Sequence, residues 1–316
     1  MYEIFKKIGN NQELETLTAI EKNCWINLEN PTTEEINQIS EVTEIPADIL
    51  NAALDENEYS RIEAEDHCIL VVINTPMIIE KSAFDTIPLG IIYSKDYFIT
   101  VSLGENRVMN RFTENKKGLF STGEHIEFLF LILLSTAKLY LRYMRYINRI
   151  TDDLEKDLRK SMKNKTLFQM FELERSLIYF LTALKDNNIV TQKLLRLEQS
   201  TNFSELIYFT EKNKDLLEDV LIENKQALEM VEIHSNVLSG MMDAFASIIS
   251  NNLNIVMKFL TSVTILLAIP TMLSSFWGMN VPVPFGHNIY GFFFVVVLAI
   301  AATTTATVLL WKKRMF

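Results

Sequence analysis

Asn254, Met257, Thr261, Thr264, Ala268, Thr271 and Ser275 follow one another at alternating intervals of 3 and 4 residues. That interval places side chains along one side of a helix. The oxygens of Asn, Thr and Ser are neutral, weak ligands, and repeated about a central axis they can line a path for a cation. Met257 and its neighbour Leu260 would then be apolar constrictions that gate by dewetting. A seam of small and hydroxyl side chains also permits close contact between helices in lipid, so spacing alone leaves pore and packing surface both open. Pro270, inside the same stretch, frees the carbonyl of Leu266 and allows a bend. Just beyond the stripe stands Gly278-Met279-Asn280, weak evidence as a bare tripeptide.

Other chemistry is sparse. The histidines His67, His125, His234 and His287 are scattered and form no zinc-like spacing, and Cys24 and Cys68 read as buried free thiols of a reducing compartment. There is no P-loop, nucleophile elbow or metallohydrolase spacing, which argues against an enzyme and against an organic cofactor. Net charge is −10, yet residues 255–316 hold no Asp or Glu and four cations, so residues 1–254 carry −14. That balance disfavours nucleic acid and fits a domain that meets metal cations or basic partners, although ordinary solubility explains it equally well.

Two segments, Phe259–Trp277 and Ile289–Trp311, are uncharged and close to the ~20 residues that cross a bilayer. Trp277, Tyr290 and Trp311 sit at their ends, as amphipathic rings do at headgroup level. Lys258, Lys312, Lys313 and Arg314 flank the outer ends of the pair, whereas the linker GMNVPVPFGHN has neither Lys nor Arg. The expectation is a two-span protein of the cell membrane with both termini cytoplasmic, and Met1–Asn10 lacks a signal-peptide apolar core.

Upstream, Cys68–Asn74, Leu89–Ser94 and Tyr97–Ser102 read as strands. Thr32 and Glu35 have capping-box spacing and open a helix through about Val42, and Pro46 starts another. A second such pair, Ser121 and Glu124, begins a stretch with neither Pro nor Gly between Gly123 and Gly240, predicting helices over about 123–163, 165–199 and 203 onward. The last has no strong stop before Pro270 and would be on the order of 100 Å long. Val231, Val237, Met241, Phe245, Ile248 and Ile249 give it apolar surface for association. The fold class expected is α+β: a cytoplasmic α/β domain (1–120), a helical stalk (121–254), a first transmembrane helix (255–277), an extracytoplasmic loop (278–288), a second helix (289–311) and a basic tail (312–316). A single hairpin cannot enclose a water path, so transport requires a homo-oligomer in the lipid bilayer.

Gly278-Met279-Asn280 follows Phe276-Trp277 at the end of the penultimate span, with Met257-Lys258-Phe259-Leu260-Thr261 and Pro270-Thr271 upstream. Together these resemble the CorA family of magnesium channels. Trp25–Pro31, Leu54-Asp55, Arg61-Ile62-Glu63 and the basic end Lys312–Arg314 extend the resemblance over nearly the whole chain. It implies a funnel-shaped homopentamer whose first span lines the pore and whose second faces lipid. Implied pore positions are Asn280 in an outer filter with Gly278 and Met279, then Thr271, Ala268, Leu260, Met257 and Asn254. The transported ion would be Mg²⁺, with Co²⁺ and Ni²⁺ able to follow, and Mg²⁺ would also regulate. For that role Asp219 matches a regulatory carboxylate, with Asp215, Glu218 and Glu223 nearby and Glu80 as its partner across subunits. Asp243 would stand near the inner mouth. For Asp219 taken alone, a solvated acidic helix face is the better explanation.

The linker lacks the acidic residues common in the family and contains His287, and Ser275 stands where glycine is frequent. A ZntB-like Zn²⁺ transporter, proton-coupled or not, shares the architecture, although Met279 favours a magnesium-type filter. A membrane-anchored oligomeric scaffold that does not conduct is the alternative from another class.

Overall fold

The computed structural model describes residues 2–7, 13–56, 58–65, 67–114, 120–160, 164–197, 209–281, 283–285, 289–313 and 315. The chain divides into two compact units, Met1–Gly240 and Met241–Phe316.

The first unit is built on a seven-stranded sheet ordered β2-β1-β3-β7-β6-β5-β4. Its strands are β1 (Tyr2–Lys6), β2 (Glu15–Leu17), β3 (Cys24–Glu29), β4 (Arg61–Glu65), β5 (Cys68–Glu80), β6 (Ala83–Ser94) and β7 (Tyr97–Ser102). The pairing of β3 with β7 is parallel and the other ladders are antiparallel. Cys68–Asn74 reads as a continuous apolar run because both faces of the sheet are covered. Ile69, Val71 and Ile73 join Trp25, Ile91, Phe98 and Phe128 in one apolar layer. Leu70 and Val72, displaced by one residue, join Ile26, Ile36, Ile99 and Val101 in the other.

The three expected strands are present, two of them longer than the sequence suggested. Beyond Val72, β5 continues to pair with β6 alone, with Asn74 opposite Pro88 and Pro76 opposite Thr86. Only Leu89–Tyr93 of β6 pairs with β7. The prolines thus lie in a two-stranded ribbon with no further strand beside them, where a missing N–H costs no ladder bond, and Asn187 of the helical layer takes the outward N–H and carbonyl of Asn74 at 2.9 and 2.8 Å.

On one face lie α1 (Thr33–Thr43) and α2 (Ala47–Asn51), followed by a 3₁₀ turn at Ala52–Leu54. The capping box forms as read: Glu35 N donates to Thr32 Oγ1 at 3.2 Å and Thr32 N donates to the Glu35 carboxylate at 2.9 Å. Gly90 lets the 3₁₀ turn approach, since a Cβ there would come within 2.7 Å of Ala53 Cβ.

The opposite face is covered by α3 (Arg107–Glu114), which the sequence reading did not predict, and by α4 (His125–Lys160) and α5 (Asn164–Leu197), close to their predicted spans. Ahead of α4, Thr122 N donates to the Lys7 carbonyl at 2.9 Å and Ser121 Oγ to the same oxygen at 3.1 Å, tying the helix entry to β1. The long helix α6 (Glu211–Trp277) runs unbroken through Pro270. Thr210 Oγ1 accepts from Asn213 N at 3.2 Å at its start, while the expected start near 203 lies outside the described residues. Of the apolar stalk residues, Val231 and Phe245 are buried within the chain, whereas Val237, Ile248 and Ile249 are exposed. Helix α7 (Gly291–Lys312) completes the second unit.

Candidate functional site

Within the second unit, one side of α6 is occupied by the returning chain. Ser262 is fully buried and its Oγ donates to the Met315 carbonyl at 3.2 Å. Leu266, Ile269, Leu273 and Trp277 continue that side as half-buried positions, and the Trp277 ring meets Phe294 of α7 with centroids 6.1 Å apart. Asn254, Met257, Leu260, Thr261, Thr264, Ala268, Thr271 and Ser275 are all exposed. The stripe read from spacing therefore lies within the surface that the hairpin leaves open, together with Phe259, Ile265, Leu267, Met272 and Phe276.

The hydroxyls on that surface have a defined polarity. Thr261 Oγ1 donates to the Met257 carbonyl at 2.8 Å, Thr264 Oγ1 to Leu260 at 2.8 Å and Thr271 Oγ1 to Leu267 at 2.9 Å. Each hydrogen is thus committed to the helix, and the oxygen offers lone pairs outward. An exposed row of acceptors suits a cation or the hydrogens of its water shell.

Gly278-Met279-Asn280 forms the exit from α6. Gly278 N donates to the Ser274 carbonyl at 2.9 Å and Met279 N to Phe276 at 3.5 Å, after which Asn280 stands exposed. A Cβ at Gly278 would sit 3.3 Å from the Ser274 oxygen. The last carbonyls of α6 carry the partial negative charge of a helix C-terminus, which favours a cation near this exit.

Two residues that position this exit escaped the sequence reading. Trp277 Nε1 donates to the Pro284 carbonyl at 3.2 Å, folding the linker back over the end of α6. Phe285 adopts φ 61°, and its carbonyl passes so close to Gly291 that a Cβ there would lie 2.5 Å away. The available signal was the glycine at the head of an otherwise bulky apolar span. His287 lies outside the described residues.

The description "CorA-like Mg²⁺ transporter protein" matches residues 21–314, nearly the whole chain. The chain belongs to the CorA family. CorA proteins are transporters, not enzymes, and α6 and α7 are each long and apolar enough to cross a membrane. The cobalt/magnesium transport protein CorA of Methanocaldococcus jannaschii is 26% identical over 275 residues, covering 85% of this chain and 83% of that one. The complete structure of the CorA magnesium transporter from the same organism superposes with a TM-score of 0.82 at 23% identity, covering 98% and 96% of the two chains. The ZntB cytoplasmic domain from Vibrio parahaemolyticus is a more distant likeness, with a TM-score of 0.57 at 13% identity over 79% of this chain and 96% of that one. At those identities the structural likenesses establish the α+β fold.

The carboxylates for which the resemblance implies a regulatory role are not gathered into one cluster among the described residues. Asp215, Glu218 and Asp219 are exposed on α6, Glu223 is half-buried, Glu80 is exposed at the end of β5, and Asp243 is exposed further along α6. Among the described residues no ion pair or hydrogen bond joins Asp219 to Glu80. No group of three or more His, Cys, Asp or Glu side chains there could hold a metal ion.

Proposed function

We propose that this CorA-family chain conducts hydrated Mg²⁺ across a cell membrane as a homopentamer, with α6 lining the pore and α7 facing lipid. The observation that carries this reading is the open row from Asn254 to Ser275, in which the Thr261, Thr264 and Thr271 hydroxyls donate inward and turn their lone pairs outward. In one chain that row has no partner; about a symmetry axis it becomes a column of weak oxygen rings. Mg²⁺ gives up its waters reluctantly, so Asn280 with the terminal carbonyls of α6 holds the hexahydrate through its water hydrogens rather than stripping it. Weak, repeated sites suit conduction, because each must release the ion it binds. Met257 and Leu260 are the apolar constriction. Co²⁺ and Ni²⁺, as similar hexahydrates, pass by the same contacts. The absence of Lys and Arg between the spans, against Lys258, Lys312, Lys313 and Arg314 at their outer ends, supports cytoplasmic termini.

Regulation follows from the dispersal of the carboxylates. Mg²⁺ held between Asp219 of one protomer and Glu80 of its neighbour keeps the subunits symmetrical and closed. Its loss releases like-charge repulsion and permits opening, while Asp243 attracts cations at the inner mouth.

The test is metal-resolved uptake by the purified protein in liposomes. Mg²⁺ is expected to enter down its gradient without a pH gradient, and Asn280→Ala to abolish selectivity or lower flux by about tenfold, the equivalent of one lost hydrogen bond to a charged species. Equal flux by both proteins would remove Asn280 from the filter. Zn²⁺ entry that requires a pH gradient would replace the magnesium reading with a ZntB-like one, and no flux of any metal would leave a scaffold.

A further inference from the structure

A concavity of about 670 Å³ lies between α3 and α4, in the first unit and remote in sequence from the conducting helices. Its wall contains Arg107 and Arg111, one turn apart on α3, and Arg142 on α4. Among the described residues none of these three guanidiniums is in an ion pair, although the residues before the first span are strongly acidic overall. Glu105 and Glu114 also border the space; Glu105 accepts from Asn110 Nδ2 at 2.7 Å, and the wall retains a net positive charge.

Tyr143 completes the floor. Its side chain is buried at 4% exposure, and its hydroxyl lies against the Arg107 side chain. Burial raises the phenol above its ordinary value, with Arg107 and Arg142 pulling the other way, so the group stays a neutral hydroxyl beside two cations.

We propose that this concavity binds a small phosphate-bearing molecule, with the three guanidiniums as its charge-assisted donors and Tyr143 beneath them positioning Arg107. Guanidinium forks match phosphate oxygens in pairs, and three of them around one space suit a multiply charged group better than a single carboxylate. The volume lies in the ~300–1,000 Å³ range of small-molecule sites, which favours a phosphorylated compound over a bare anion. The site would make the cytoplasmic unit responsive to a second ligand besides a metal ion.

Titration calorimetry of the full-length protein in detergent, with pyrophosphate in a buffer free of divalent cations, tests this. Wild type is expected to bind saturably. Arg111→Gln and Arg142→Gln should each weaken binding about tenfold at an unchanged melting temperature. Tyr143→Phe should weaken it by a smaller factor. Arg145→Gln removes the same charge from the same helix outside the concavity and should leave the affinity unchanged. Absence of binding by wild type, retention of affinity by Arg142→Gln, or equal weakening by Arg145→Gln would each overturn the proposal.

Discussion

The hydroxyl of Ser262 donates to the carbonyl of Met315 across 53 residues of sequence, and Ser262 is completely buried where it does so. This bond fixes which side of α6 faces the returning chain and, by exclusion, which sides stay exposed.

Ser262→Leu inserts a bulky side chain into that closed contact. A destabilisation of about 1–3 kcal/mol is expected from overpacking, seen as a lower melting temperature of the detergent-solubilised protein. Thr261→Ser, next in sequence but exposed, should leave the melting temperature unchanged.

Thr264→Val and Thr271→Val keep shape while deleting the outward oxygen of the row. Each should reduce Mg²⁺ flux, the double variant by about tenfold, with little change in stability. Thr304 on α7 also donates to its own helix, at 2.7 Å to the Ile300 carbonyl, and is exposed. Thr304→Val should conduct normally, and equal losses from all three substitutions would refute a pore lined by α6 alone.

Asp219→Asn removes one charge from the carboxylate group assigned to regulation. Inhibition of flux by Mg²⁺ on the cytoplasmic side should then need several-fold more Mg²⁺, with Glu80→Gln acting in the same direction. An unaltered inhibition curve in both variants would return Asp219 to an ordinary solvated helix face.

His125 makes stability depend on pH. Its Nδ1 lies 2.9 Å from the Ser94 carbonyl, which can only accept, so Nδ1 carries the hydrogen and the buried Nε2 stays unprotonated. Burial lowers its pKa below the ordinary 6.5, against the opposing pull of the Ser94 carbonyl and Asp96. The unfolded chain therefore takes up a proton that the folded chain refuses. The stability present above about pH 6.5 falls as pH drops towards the folded value, by at most ~1.4 kcal/mol per pH unit. His125→Gln should flatten this part of the melting curve against pH, and an identical pH dependence in wild type and variant would exclude the assignment.

Much of the architecture was legible because it is local. The Thr32–Glu35 cap needs only four consecutive residues, and the helices over 125–160 and 164–197 follow from apolar periodicity uninterrupted by Pro or Gly. The far halves of β5 and β6 were not legible, since Pro76 and Pro88 argue against a strand until pairing shows that no further strand lies beside them. Thr210 was a readable cap that went unread, while the Trp277–Pro284 bond depends on a linker conformation that composition does not encode.

By itself the sequence determined that two apolar spans close the chain, that a row of hydroxyl and amide residues runs along the first, and that Gly278-Met279-Asn280 ends it. It could not determine what that row faces. A seam of Thr, Ala and Ser has the same 3-and-4 spacing whether it packs against a helix or borders water, because periodicity records position around an axis and nothing about neighbours. What the tertiary structure adds is which side of α6 the returning chain closes, by burying Ser262 against Met315 and leaving Thr261, Thr264, Ala268 and Thr271 exposed. Burial is a relation between distant segments, and no local pattern contains it.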